Sequence, residues 1–162
     1  MAADNFLQIE GIKGESTDDK HKDWIEILSY NFGVSQAASL AERSATRGAA
    51  GQRADFQDFS IVKLMDKSSP MLFKACAKGD PIKNVKIELC RAGGDKHVYM
   101  TYEMEDVIIS SVSTSGGEGG EARESVTFNF GKIKLNYVPI GRDGKPAGNV
   151  PAGWDLEANK AI

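Results

Sequence analysis

The sequence has little of what builds a metal, redox or nucleotide site. It carries two cysteines, Cys76 and Cys90, and two histidines, His21 and His97. No spacing joins them as metal ligands or as a redox pair, so neither a metal nor a cofactor is expected. The cysteines read as small buried hydrophobes of a reducing compartment. No run approaches the roughly eighteen apolar residues of a membrane span, and membrane insertion is not expected. Met1 to Glu10 has no basic start, apolar core or cleavage site, so a secretory signal is not expected there. An excess of positive charge is missing too. Twenty Lys and Arg stand against 23 Asp and Glu, a net −3 that is a poor basis for nucleic-acid binding.

What is present fits one globular domain spanning 1–162, with 41% hydrophobic and 27% charged residues. Glycine is abundant, at 17 residues, and it gathers at turns such as Gly93-Gly94 and Gly116-Gly117-Glu118-Gly119-Gly120. Turn clusters between alternating segments are a mainly-β signature.

Alternation is clearest in the second half. Val85, Ile87 and Leu89 face one way between Lys83 and Arg91, and Lys86 and Glu88 the other. Ala92 to Asp95 reads as a hairpin turn. Val98, Met100, Tyr102 and Met104 then share a face opposite Thr101, Glu103 and Glu105, and Asp106 to Ser113 continues as a second extended stretch. Val126, Phe128 and Phe130 alternate in even phase, whereas Ile133, Leu135 and Tyr137 alternate in odd phase. A bulge near Gly131-Lys132 is expected to absorb that shift. Earlier strands are expected over Asn5–Ile12, Asp23–Val34 and Asp55–Met65.

One short helix is expected at about 69–78. Ser69 would cap it, Pro70 fits its first turn and Gly79 supplies the stop; Met71, Leu72, Ala75 and Cys76 form its apolar face. Residues 35–54 hold seven alanines and one large apolar side chain, Leu40. This stretch reads as a long loop, or else as a second helix from Ser35 to about Arg47. Residues 139–162 read as a long turn and a short edge strand around Trp154, which serves as a core plug or an interface anchor.

No catalytic motif emerges. The glycine cluster lacks the Lys-Ser/Thr of a phosphate loop and precedes a strand, and no Gly-x-Ser-x-Gly elbow occurs. Glu103, Glu105 and Asp106 could supply hydrolytic carboxylates, but on an alternating strand they read as a solvated face. The chain is not expected to be an enzyme.

Several segments, in order, resemble the Hcp (haemolysin-coregulated protein) family of the type VI secretion system. They are Gly11-Ile12-Lys13-Gly14-Glu15-Ser16 with Trp24 to Gly33; Asp55 to Gly79, including Lys67-Ser68-Ser69-Pro70; Ser110-Ser111-Val112-Ser113; Phe128-Asn129-Phe130; and Gly153-Trp154-Asp155-Leu156. The resemblance implies a β-barrel of two antiparallel sheets with one flanking helix, like phage tail-tube proteins. It implies hexameric rings that stack into an inner tube, fired by a sheath behind a spike. It also implies small effectors carried in the lumen, and export from the cytoplasm without a signal peptide. Ser113, Thr114 and Ser115 are expected either to border the lumen or to form an ordinary solvent-facing turn. For ring stacking, Arg43, Arg47 and Arg53 of the basic 35–54 segment are expected to meet Glu118, Glu121 and Glu124, placed in another loop region. The rival readings are a monomeric β-barrel module for a small ligand or carbohydrate, and a hydrolase using scattered carboxylates.

Overall fold

The computed structural model describes residues 4–36, 53–92 and 96–162. Among them the elements are β1 (Asp4–Ile9), β2 (Ile25–Ile27), β3 (Ser29–Asn31), β4 (Val34–Ser35), β5 (Asp55–Phe56), β6 (Phe59–Leu64), α1 (Ser69–Lys78), β7 (Ile82–Cys90), β8 (Val98–Ser115), β9 (Arg123–Tyr137), β10 (Val150–Asp155) and β11 (Lys160–Ala161). Residues 37–52, with Leu40, Arg43 and Arg47, and the turn glycines Gly93 and Gly94 lie outside the described residues.

The mainly-β, antiparallel fold is as expected, with one short helix among the described residues. The closed barrel of two sheets is not. Nine strands form one sheet in the order β11-β10-β9-β8-β7-β1-β2, with β6 branching from β9 and β3 pairing β6, while β4 and β5 make a separate ribbon. Among the described residues the path ends at β11 and β2, with β2 lying against β6. One bent segment brings its branches side by side: β2 pairs with β1, and after Leu28 the chain changes neighbour and β3 pairs with β6. The Leu28 N–H donates to the Val62 carbonyl at 2.7 Å across that bend. The expected Asp23–Val34 strand is therefore three short strands, since each piece satisfies its backbone against a different partner.

The β8–β9 hairpin is the spine of the molecule. Toward Val98 and Tyr137 it is flanked by β7 on one side and β10 on the other; toward Ser115 and Arg123 it runs past β7, and β6 takes the place of β10. The phase shift expected as a bulge near Gly131-Lys132 is solved differently. Met104 faces Ile133 and Val107 faces Phe130 in one unbroken register, so both strands reverse their faces together at the opposed pair Asp106 and Gly131. Asp106 takes a φ of 55° to do so. The register slips instead between Ile109 and Ser111, where Ser110 is the extra residue.

β1 stops at Ile9, and a turn bonds the Ile12 N–H back to the Ile9 carbonyl at 3.1 Å. Gly14 follows where the chain crosses β2; a Cβ there would sit 2.7 Å from the Ile25 Cα, which is why this position takes glycine. The expected Asp55–Met65 strand is broken at Gln57-Asp58 into β5 and β6.

α1 has the expected span, but Ser68 rather than Ser69 is its N-cap residue. The Ser69 hydroxyl instead accepts from the Asp66 N–H at 3.0 Å. Gly79, at φ 67°, ends the helix in the left-handed conformation, and the Asp80 N–H reaches the Ala75 carbonyl at 3.1 Å. Leu72 and Ala75 face the core and Cys76 is half-buried, whereas Met71 is exposed, because the helix lies on β8 by too narrow a stripe to cover it.

The core joins Leu7, Ile25, Phe59, Ile61, Leu72, Ile87, Met104, Val126, Phe128 and Ile133, with Phe32 stacked on Phe59 at 5.4 Å. Each large apolar side chain buried this way contributes about 1.5–3 kcal/mol. That is ample to hold a domain without disulfides, and both cysteines are free.

Candidate functional surfaces

Three polar constellations and one exposed tip stand out against this scaffold. The tip is the end of the β8–β9 hairpin. Gly116 to Gly120 is fully exposed, and Glu118 and Glu121 lie exposed on and beside it. Ser113, Thr114 and Ser115 are exposed as well, but they belong to β8, laddered to Ser125, Glu124 and Arg123, rather than to a turn. Arg53 is exposed.

Glu124 does not join the acidic tip. It sits in β9 at 2% exposure, 3.4 Å from the Lys63 ammonium of β6, which is itself wholly buried. Lys63 also reaches Asp66 at 3.0 Å and Ser69 at 3.3 Å, and Asp66 accepts from both the N–H and the hydroxyl of Ser68. Glu124 follows the period-2 alternation, with Val126 and Phe128, and so points inward. A buried carboxylate needs a buried cation. The pair ties β6, β9 and the start of α1 together. It is a structural clamp, and sequence reading missed it because Lys63 and Glu124 are 61 residues apart.

The second constellation surrounds His21, which is 2% exposed despite its charged sequence neighbourhood. Its ring stacks on Phe6 at 4.1 Å and takes Trp24 edge-on at 4.8 Å. Nδ1 lies 2.7 Å from Asp18 and Nε2 lies 3.4 Å from Glu88 of β7. Lys96 adds contacts to Asp18 at 3.0 Å and Asp4 at 3.1 Å. The hydrogen bond to His21 and then that to Lys96 hold the Asp18 carboxyl at about 2. This network pins the loop after β1 onto β7. Nearby, burial pushes the Cys90 thiol up to about 11, so it stays protonated and inert.

The third constellation lies on the outward face at the hairpin's register slip. The Ser110 hydroxyl donates to Asp58 Oδ2 at 2.6 Å and lies 2.7 Å from the Thr127 hydroxyl; Ser111 is 2.6 Å from the same Thr127 oxygen. Asn129 Nδ2 donates to Asp58 Oδ1 at 3.0 Å. The signal that could have found it is the doubled serine at Ser110-Ser111, where β8 breaks its alternation between Ile109 and Val112.

Two further features bear on the rival readings. A surface groove of about 660 Å³ runs along β1, β7 and β8 beside Trp24, and its polar groups largely face one another: Lys86 with Glu103 at 3.2 Å, Asn84 with Glu10 at 3.2 Å. Among the described residues no group of three or more His, Cys, Asp or Glu side chains is arranged to hold a metal ion. Trp154 is half-buried in β10, laddered to Ile133 and Ala161, so it is not a sealed core plug.

Comparison with known proteins puts this geometry in context. The profile of the family described as "Type VI secretion system effector, Hcp" matches residues 6–137. The "Protein hcp1" of Pseudomonas aeruginosa is 40% identical over 163 residues, covering 98% of both chains. The "Major exported protein" of the same organism is 28% identical over 168 residues, covering 89% of this chain and 94% of its own. Among solved structures, Hcp1 from Salmonella typhimurium superposes with a TM-score of 0.82 at 35% identity, over the full length of both chains.

Proposed function

Because this chain belongs to the Hcp family of type VI secretion proteins, we propose that it is a structural subunit of that system's inner tube. Six copies close into a ring, rings stack into a hollow tube, and small effector proteins ride in the lumen with the ring as their carrier. The subunit is made in the cytoplasm, meets the sheath and spike proteins of the machine, and is exported when the sheath contracts. The full-length likeness to Hcp proteins carries this reading, and the kinship to an exported protein supports its last step.

The fold suits assembly from identical units. A ring repeats one heterologous contact until it closes, and open sheet edges are natural material for such contacts. The ends of the sheet path at β2 and β11 supply edges. For stacking, the basic 35–54 segment with Arg43, Arg47 and Arg53 meets Glu118 and Glu121 of the next ring. Glu124 is left out because it is buried against Lys63. Ser113, Thr114 and Ser115 border the lumen.

Sedimentation velocity with negative-stain imaging tests the assembly. A particle of six times 17.5 kDa, seen as closed rings at micromolar concentration, is the expected result. Monomer alone across that range, in low and high salt, overturns it.

A further inference from the structure

We infer that the Asp58–Ser110–Thr127–Ser111 cluster is an acceptor surface for cargo, and that the cargo it fits presents N–H donors: a lysine-, arginine- or amide-bearing patch of a small folded protein. The inference rests on the cargo-carrying reading above and adds the partner's chemistry.

The reason lies in how the hydroxyl protons are spent. Ser110 owns one hydroxyl proton, and at 2.6 Å from a carboxylate oxygen that proton is committed to Asp58. The 2.7 Å contact between Ser110 and Thr127 must then be donated by Thr127. With the Thr127 proton used, its 2.6 Å contact to Ser111 must be donated by Ser111. Three hydroxyl protons thus run in one direction, Ser111 to Thr127 to Ser110 to Asp58, and Asn129 sends an amide proton to the other carboxylate oxygen at 3.0 Å. Such chains polarise cooperatively toward the charged end.

The three hydroxyl protons therefore stay within the cluster, and although Asn129 keeps one free amide proton, the hydroxyls and Asp58 turn lone pairs and one negative charge outward. Its immediate ladder neighbours on this face are uncharged: Ser60 lies opposite Thr127 in β6, and Ser113 lies opposite Ser125 across the hairpin; Arg123 stands on the same face of β9, four residues from Thr127. A partner surface rich in carboxylates would meet acceptors with acceptors. One rich in guanidinium, ammonium or amide N–H groups is complementary. Because Ser110 and Ser111 are exposed and Asp58 and Thr127 are only half-buried, each contact is weak and salt-sensitive, which suits a carrier that must also release.

The test uses the full-length protein and two fluorescent peptide probes, one of alternating Gly and Arg and one of alternating Gly and Glu, followed by anisotropy in low and high salt. The Arg probe should bind with clear preference. Asp58→Asn should weaken it roughly tenfold, the value of one charge-assisted hydrogen bond, because the new amide can donate to Ser110 and reverse the chain. Thr127→Val, which cuts the chain without changing charge, should weaken it roughly threefold. Asp143→Asn, in the exposed turn after β9, removes the same charge elsewhere and should leave binding unchanged. Equal losses from Asp58→Asn and Asp143→Asn, or equal binding of both probes, overturn the inference. Sedimentation of the same samples separates the two readings. Intact wild-type rings without an Arg preference sink this inference alone, whereas monomer with the preference intact sinks the tube and leaves the acceptor surface standing. Thermal melts check that each variant folds, and Thr127→Val alone decides the matter if Asp58→Asn does not.

Discussion

Asp106 and Gly131 stand opposite each other in the β8–β9 hairpin, and at that pair both strands exchange their inward and outward faces without losing register. The Asp106 Cβ is 3.2 Å from where a Gly131 side chain would begin, and Asp106 itself is in the left-handed region at φ 55°. Asp tolerates that conformation and a β-branched residue does not. The reversal lets one long hairpin pack β7 and β10 at one end and β6 at the other, with apolar side chains inward on both sides of the reversal.

Asp106→Val should therefore lower stability by about 1–2 kcal/mol, the cost of forcing an ordinary L-residue into that conformation, while Asp106→Gly should be neutral or stabilising. Urea denaturation midpoints of the three proteins decide this. Equal stability of the Val and Gly variants would mean that the backbone at 106 relaxes freely.

The Lys63–Glu124 clamp predicts an asymmetry. Lys63→Met leaves Glu124 buried without its cation and should cost about 3–5 kcal/mol. Glu124→Gln should cost less, because Lys63 keeps Asp66 at 3.0 Å. Replacing both by Met and Leu should recover much of the loss. A double-mutant cycle showing no coupling would dissolve the pair.

Asp18 predicts a pH dependence of definite sign. Its folded-state pKa, about 2, lies below the ordinary 3.8. The stability it contributes is fully present above the ordinary value and is lost as pH falls from about 4 through about 2. Asp18→Asn should thus be less stable than the wild type at pH 7, and the difference should shrink steadily below pH 4. A difference that stays constant down to pH 2 would assign the effect to packing.

The cysteines should differ in reactivity. Cys90 is fully buried with its thiol held at about 11, and Cys76 is half-buried. A thiol reagent at pH 8 should label Cys76 in the native protein and Cys90 only after denaturant is added. Native labelling of both at similar rates would contradict the burial of β7.

Stacking predicts a separation of functions. Glu118→Lys with Glu121→Lys changes exposed side chains at the hairpin tip, so rings should form as before while tubes assemble less well and lose their sensitivity to salt. Each exposed ion pair contributes only about 0–1 kcal/mol, but the proposed ring would repeat it six times. Tubes that form undiminished, read by electron microscopy, would remove the tip from the stacking surface.

Much of the local chemistry was legible where it was decided within a few residues, although the helix cap was read one residue late, at Ser69 instead of Ser68. The period-2 runs at Lys83–Arg91 and Val126–Phe130 name strands that exist. Pro70 and Gly79 bound a helix over 69–78 because a fixed φ and a left-handed stop act on their own turn. The family-like segments from Gly11 to Trp154 carried the secretion assignment. The acceptor cluster was half visible, in the doubled serine at Ser110-Ser111, but Asp58 lies 52 residues from Ser110 and nothing local pairs them.

What the tertiary structure alone decided was which neighbour each strand meets. Val126, Phe128, Ile133 and Leu135 announce a change of phase, yet a one-strand bulge and a matched reversal look identical from β9; only β8, laddered against it, shows that Asp106 turns with Gly131. Glu124 looked like one more surface acid until β6 set Lys63 beside it, and His21 looked solvated until Phe6, Trp24 and Glu88 closed around it. The open, branched sheet in place of a closed barrel has the same origin. Periodicity states which face of a strand is apolar, whereas pairing is set by long-range contacts whose partners no local pattern specifies.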